Sequence, residues 1–221
     1  SIDIKKTIAM NAARLLKDGQ VVNLGIGIPT MVANYIPENV GVIFQSENGI
    51  LGLGPTPKPG EENPDFLDAG SNLVTIEPGG VFMNSADGFG LIRSGHVDAT
   101  VLGALQVDEK GNLANWMIPG KMIAGYGGAM DLITCTPVVI AAMEHANKGK
   151  AKILKECTFP LTGVSCVTYI VTEMGFMEVT DRGIVLREVA EGLTPEDVQA
   201  ATEAELIIPD DLKVMPVVQE N

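Results

Sequence analysis

Short apolar runs, punctuated by glycine and proline, constrain this chain more than any other feature: they alternate with helix-forming stretches early and gather into pairs late. Ile4, Ile8, Ala12, Leu15 and Leu16 recur at helical spacing, with Lys5, Lys6, Arg14 and Lys17 on other faces and Gly19 just past the end. Residues 21–24 then read as a strand, and the Gly25 to Thr30 turn opens a helix over 31–35. Residues 42–44 and 73–76 read as further strands, the second closed by Pro78-Gly79-Gly80. Ser85 is placed to cap a helix running to Arg93. Residues 97–102 make a buried strand continuing towards Val107, and the Asp108 to Gly111 turn returns it as a hairpin over 113–116. Residues 138–142 form a strand, and 167–171, 176–179 and 184–186 a meander. Thr194-Pro195-Glu196-Asp197 caps a short helix through Thr202. Alternation followed by hairpins predicts a three-layer α/β/α fold with a mixed, mostly parallel central sheet.

No linker, repeat or low-complexity segment divides the 221 residues, so 1–221 is read as a single domain. The formal charge of −13 gives no attraction to nucleic acid or an anionic membrane surface, so a polyanionic ligand would need a local cationic or backbone N–H site. Cys135, Cys157 and Cys166 lack CxxC spacing, and with only His96 and His145 beside them they form no metal-ligand set. They read as buried thiols in a reducing compartment. Without a long apolar run or a secretion signal, the expected location is the cytoplasm, with no membrane partner.

One carboxylate stands out. Glu47 follows an apolar run and precedes the Asn48-Gly49 turn, so it belongs where the carboxyl end of a strand opens into a loop, the place where open α/β sheets bind ligands. A solvated turn glutamate is the alternative from this stretch alone. Downstream, residues 56–68 are polar and interrupted by Pro57, Pro59 and Pro64; they read as a mobile surface loop leaving the Glu47 neighbourhood. Gly125, Gly127 and Gly128 make a second glycine cluster, either a plain flexible loop or a backbone able to present bare N–H groups to an oxyanion.

Several blocks occur in one order: Ser46-Glu47-Asn48-Gly49, Leu51-Gly52-Leu53-Gly54, Leu91-Ile92-Arg93, Gly95-His96-Val97-Asp98, Gly103-Ala104-Leu105-Gln106-Val107, Ala114-Asn115-Trp116, Pro119-Gly120-Lys121-Met122 and Gly127-Gly128-Ala129-Met130-Asp131-Leu132. Together they resemble the B subunit of family I (3-oxoacid type) CoA-transferases, over nearly the whole chain. The resemblance implies a fold shared with sugar-phosphate isomerases and a ping-pong transfer through a covalent glutamyl-CoA thioester on Glu47. Gly128 would supply a backbone oxyanion donor, with Gly127 beside it, and a partner A subunit would supply a second donor in an A2B2-type assembly. Coenzyme A would be a substrate, with no permanently bound cofactor, and the acids would be short-chain carboxylates such as acetate, acetoacetate or butyrate. Lys121 is the candidate contact for an anionic CoA group, with an ordinary surface cation as its alternative; Asn48 and Asn115 are candidate polar contacts. Tyr126 and Ser94 depart from the methionine and glycine common in the family. A sugar-phosphate isomerase, for which only the weak Gly25-Gly27 turn speaks, and a non-catalytic sensing subunit are the competing readings.

Overall fold

The computed structural model describes residues 1–220. Helix α1 (Ile4–Ala13) starts at Asp3, whose carboxylate accepts the Lys6 N–H at 3.1 Å, and buries Ile8, Ala9 and Ala12. Its apolar pattern extends to Leu16, but the backbone tightens there into Leu15-to-Ala12 and Leu16-to-Ala13 bonds, a 3₁₀-type ending. Strand β1 (Val21–Leu24) leads into a 3₁₀ helix over Ile28–Tyr35, earlier and more tightly wound than the helix expected over 31–35. Strands β2 (Ile43–Ser46), β3 (Ile50–Leu53) and β4 (Ile76–Phe82) form an antiparallel meander. Strand β4 corrects a sequence expectation: it runs through Pro78-Gly79-Gly80 instead of ending before them. The residues are tolerated because β4 is the sheet's outer edge and its register against β3 shifts between Leu51 and Leu53.

Helix α2 (Ser85–Arg93) is capped by Asn84, not Ser85; the Asn84 Oδ1 accepts the Asp87 N–H at 2.9 Å. Strand β5 (Ala99–Leu102) stops short of the expected continuation, because the chain leaves the main sheet at Gly103. Strands β6 (Gln106–Asp108) and β7 (Leu113–Ala114) form the expected hairpin in a separate small sheet, followed by a second hairpin, β8 (Met117–Ile118) and β9 (Met122–Ile123). Then come α3 (Ala129–Cys135), β10 (Val138–Ala142), the short pair β11 (Ala146–Asn147) and β12 (Lys150–Ala151), and β13 (Ile153–Leu154), which joins β6 in parallel. The chain ends with β14 (Tyr169–Val171), β15 (Gly175–Thr180), β16 (Gly183–Ala190), α4 (Pro195–Ala200), β17 (Leu206–Ile207) and β18 (Lys213–Met215). Thr194 and Asp197 close a reciprocal capping box on α4.

The main sheet has the order β17-β16-β15-β14-β10-β5-β1-β2-β3-β4, with β18 also beside β16. From β14 to β2 the strands are all parallel; β3 and β4 on one side and β15 and β16 on the other continue antiparallel, and β17 and β18 join β16 in parallel. Alternation along the strands sorts the core into two layers. Val139, Ala141 and Ile170 pack with Ile92 of α2, Leu132 and Ile133 of α3 and Val198 of α4. Ile140, Ala142 and Val171 pack on the other face with Ile8 and Ala12 of α1 and Val32 of the 3₁₀ helix. The three-layer mixed sheet is therefore as expected. No helix among the described residues is long and apolar enough to cross a membrane.

Candidate active site

Strand β1 has β2 on one side and β5 on the other, so the chain's direction of travel across the sheet reverses around it. Crevices form at the carboxyl ends of parallel strands at such a switch. Glu47 is the first residue after β2, Gly25 the first after β1 and Gly103 the first after β5. Gly49 shapes the turn behind Glu47: its φ is +118°, and a Cβ there would overlap the Met83 carbonyl.

The half-buried Glu47 side chain is held from beneath by a residue that sequence reasoning had counted only as part of a strand. The Asn23 Nδ2 donates to Glu47 Oε2 at 3.0 Å and to Gln45 Oε1 at 2.8 Å, and Gln45 Nε2 donates to the Gly88 carbonyl at 3.1 Å. Asn23 and Gln45 are both buried and in register on neighbouring strands. The available signal was one amide inside the otherwise apolar run Val21-Val22-Asn23-Leu24. Burial leaves Asn23 Oδ1 without a partner among the described residues, so the amide is oriented solely through its donors.

The other carboxylate oxygen faces the glycine loop. A Cβ on Gly128 would lie 3.2 Å from Glu47 Oε1 and 3.3 Å from Phe89 Cε1. Gly128 has an ordinary φ of −84°, so this position calls for glycine because of room and not because of backbone strain. Neither Gly127 nor Gly128 uses its N–H in a hydrogen bond among the described residues, whereas Ala129 N–H is taken by the Tyr126 carbonyl at 3.0 Å. A brace fixes the loop against α2: Arg93 Nε meets Asp131 Oδ1 at 2.8 Å, and the guanidinium lies 5.4 Å from the Phe89 ring centre. Tyr126 stacks on Trp116 with ring centres 4.3 Å apart.

A cleft of about 490 Å³ gathers Glu47, Asn23, Asn115, Gly127 and Gly128, with Gly25 and Ile26 as one wall and Tyr126 on another. Thus four of the six residues singled out in the sequence converge. Asn115 lines the cleft with its side chain partly engaged, donating to the Gly103 carbonyl at 3.2 Å and accepting from Thr162 Oγ1 at 2.6 Å. Asn48 instead faces outward and donates to the Leu67 carbonyl at 2.7 Å. With the Ala69 N–H to Ser46 Oγ bond at 2.9 Å, it ties the end of the 56–68 loop to the Glu47 turn. Lys121 is exposed between β8 and β9 and is not among the cleft-lining residues. Burial pushes the Cys157 thiol up to about 12 and the Cys166 thiol up to about 11, which disqualifies both as nucleophiles near neutral pH. No metal-binding group of histidine, cysteine and carboxylate side chains occurs among the described residues.

A parallel-sheet crevice thus holds one positioned carboxylate against bare glycine backbone, and comparison with known proteins gives the class of protein to which it belongs. The family profile described as coenzyme A transferase matches residues 5–201. The beta subunit of acetate CoA-transferase from Escherichia coli K12 is 50% identical over 96% of this chain and 97% of its own. The mitochondrial succinyl-CoA:3-ketoacid coenzyme A transferase 2A of Rattus norvegicus is 47% identical over 99% of this chain, which spans only 43% of that protein. Among solved structures, an acyl-CoA transferase apoenzyme from Escherichia coli O157:H7 superimposes with a TM-score of 0.74 at 19% identity, covering 97% of this chain and 44% of that one. The chain belongs to the coenzyme A transferase family, as a subunit of the B type.

Proposed function

We propose that Glu47 is the covalent carrier of a ping-pong CoA transfer between short-chain carboxylic or 3-oxo acids. Its carboxylate attacks the acyl-CoA thioester carbon; the tetrahedral oxyanion collapses with cleavage of the carbon–sulfur bond, leaving an acyl-glutamyl anhydride and CoA thiolate. The thiolate then attacks the Glu47 carbonyl carbon, the substrate acid leaves as its carboxylate, and a glutamyl-CoA thioester remains. An incoming carboxylate reverses both steps. A carboxylate suits this role because it becomes the same kind of acyl acceptor as the substrates, so the thioester's free energy is retained.

The observation that carries the reading is the unequal treatment of the two carboxylate oxygens. Asn23 holds Oε2, while Oε1 faces Gly128 and the open cleft. Free N–H groups of Gly127 and Gly128 are suited to donate to the oxyanion. The cleft wall is apolar and uncovered on one side, with Ile26 70% exposed and Ile123, next to the lining residue Ala124, 74% exposed. Such a rim fits a second polypeptide, an A subunit, that closes the site and excludes water.

The test is to co-express the chain with its A subunit, incubate with acyl-CoA alone, and trap with hydroxylamine or borohydride. Modification should fall on Glu47 and vanish in Glu47→Ala. An active complex with no CoA-dependent modification, or full transferase activity from this chain alone, would sink the mechanism or the two-subunit site respectively.

A further inference from the structure

Two consecutive residues of α2 touch the two halves of the site. Gly88 lies against the backbone of Glu47: a Cβ there would stand 2.8 Å from the Glu47 carbonyl oxygen and 3.5 Å from the Gly49 Cα. The Gly88 carbonyl also accepts the Gln45 bond that anchors the Asn23 chain. Glycine inside a helix is ordinarily unfavourable; here it lets α2 seat directly on the turn that carries the carboxylate. Phe89, about 100° further round the helix, turns to the other wall. Its Cε1 would be 3.3 Å from a Cβ on Gly128, and that same Cβ would lie 3.2 Å from Glu47 Oε1. The room beside Gly128 is therefore closed by the carboxylate and by the Phe89 ring together.

The glycine loop depends on that contact. Gly125 and Gly127 adopt φ of +82° and +52°, and a Cβ on either would meet nothing within 4 Å among the described residues. Gly128, which is buried, is where the loop first seats on the scaffold. Phe89 is half-buried and joins the core cluster that contains Ile92, Leu132 and Ile133, so its ring is held from behind by both α2 and α3. The Arg93–Asp131 pair also links these helices, but the arginine side chain is 61% exposed, and exposed pairs hold geometry weakly. The ring is the stiffer spacer.

We infer that Phe89 is a positioning residue of the transfer reaction: its ring sets the gap between the Glu47 carboxylate and the Gly127 and Gly128 N–H groups. The assignment rests on the carrier role proposed for Glu47. It also makes a demand that core packing alone does not, because the edge of the ring must govern the rate of oxyanion formation as well as stability. Misplacing a reacting group by about 1 Å can cost about 10²-fold in rate, so a spacer that lets the loop drift is felt in the chemistry and not in the binding of substrate.

Complexes with the A subunit should be mixed with acetyl-CoA in single turnovers, and the rate of CoA-adduct formation on Glu47 followed beside KM and Tm. Phe89→Leu, which stays apolar but lacks the atom nearest Gly128, should slow adduct formation about 10-fold with KM changed less than about 3-fold. Ile92→Val, three residues on and fully buried in the same cluster, should lower Tm without slowing the adduct. Gly128→Ala presses its methyl against both the carboxylate and the ring; with Phe89→Leu beside it, the methyl gains room to leave Oε1. The double variant should therefore form adduct at least about 5-fold faster than the product of the two single losses. Losses that simply multiply, a wild-type rate in folded Phe89→Leu, or an equal loss in Ile92→Val would each overturn the positioning role while the wild-type adduct still stands. Absence of that adduct in the wild-type complex would instead overturn the carrier reading, and this role with it.

Discussion

The Asn23 amide lies 3.0 Å from Glu47 Oε2 and simultaneously 2.8 Å from Gln45 Oε1, so the catalytic candidate is oriented by a buried hydrogen-bond chain anchored at the Gly88 carbonyl. When Glu47 carries an acyl or CoA group, Oε2 is the oxygen left as its carbonyl, and Asn23 is the donor facing it. Asn23→Ala should lower turnover of the assembled enzyme about 10²- to 10³-fold, the usual loss for one such donor. Single-turnover trapping should show slower formation of the Glu47 adduct. Asn23→Asp should be worse, because it sets a second carboxylate against the first. Unchanged trapping rates in a folded Asn23→Ala complex would remove Asn23 from the mechanism.

Gly128 makes a different demand. Because a Cβ would sit 3.2 Å from Glu47 Oε1, Gly128→Val should displace either the carboxylate or the loop while the buried sheet stays intact. Turnover should fall about 10²-fold or more with little change in Tm. Normal activity with an unchanged Tm would show that the loop plays no part in the reaction.

These contrasts explain what the sequence could and could not disclose. Apolar runs and turn residues placed Glu47 after β2 because burial and strand termination are local properties. The family blocks then pointed to Glu47 and Gly128 together although they are far apart in sequence. Asn23 escaped notice as a site residue, since its role exists only when β1 and β2 pair in register. The placement of Lys121, exposed on the β8–β9 hairpin and outside the cleft lining, likewise follows from strand pairing that local sequence does not encode. The bond from Asn48 Nδ2 to the Leu67 carbonyl is equally invisible in the sequence, because it joins residues 19 positions apart. Strand β4 was misplaced because edge position and register, which make Pro78 tolerable, are properties of the whole sheet.

Tyr126 stands where the resembling family often has methionine, and its ring is stacked 4.3 Å from Trp116 beside the cleft. A rigid aromatic narrows the space for the acyl chain more than a flexible thioether does. Tyr126→Met should therefore shift the ratio of kcat/KM values towards longer acids, by about 10-fold for butyrate over acetate, a change of the size that one or two methylene contacts produce. Competition assays with paired acids measure it. An unchanged ratio would place the acyl pocket elsewhere.

His145 gives the fold a pH limit unrelated to the reaction. It is fully buried, with Nδ1 2.9 Å from Thr172 Oγ1 and Nε2 2.7 Å from Thr202 Oγ1, and it joins the ends of β10 and β14 to the end of α4. Burial, with Lys152 nearby, lowers its pKa from 6.5 to about 4. The unfolded chain therefore binds this proton more readily than the folded one. The resulting contribution to stability is fully present above about pH 6.5 and is lost progressively as pH falls towards 4; its upper size is on the order of 3 kcal/mol. Thermal unfolding of His145→Gln should lose part of the wild-type decline in Tm across that window while starting from a lower Tm at neutral pH, since the amide must replace both threonine contacts. If wild type and variant decline in parallel between pH 6.5 and 4, the acid sensitivity belongs to other groups.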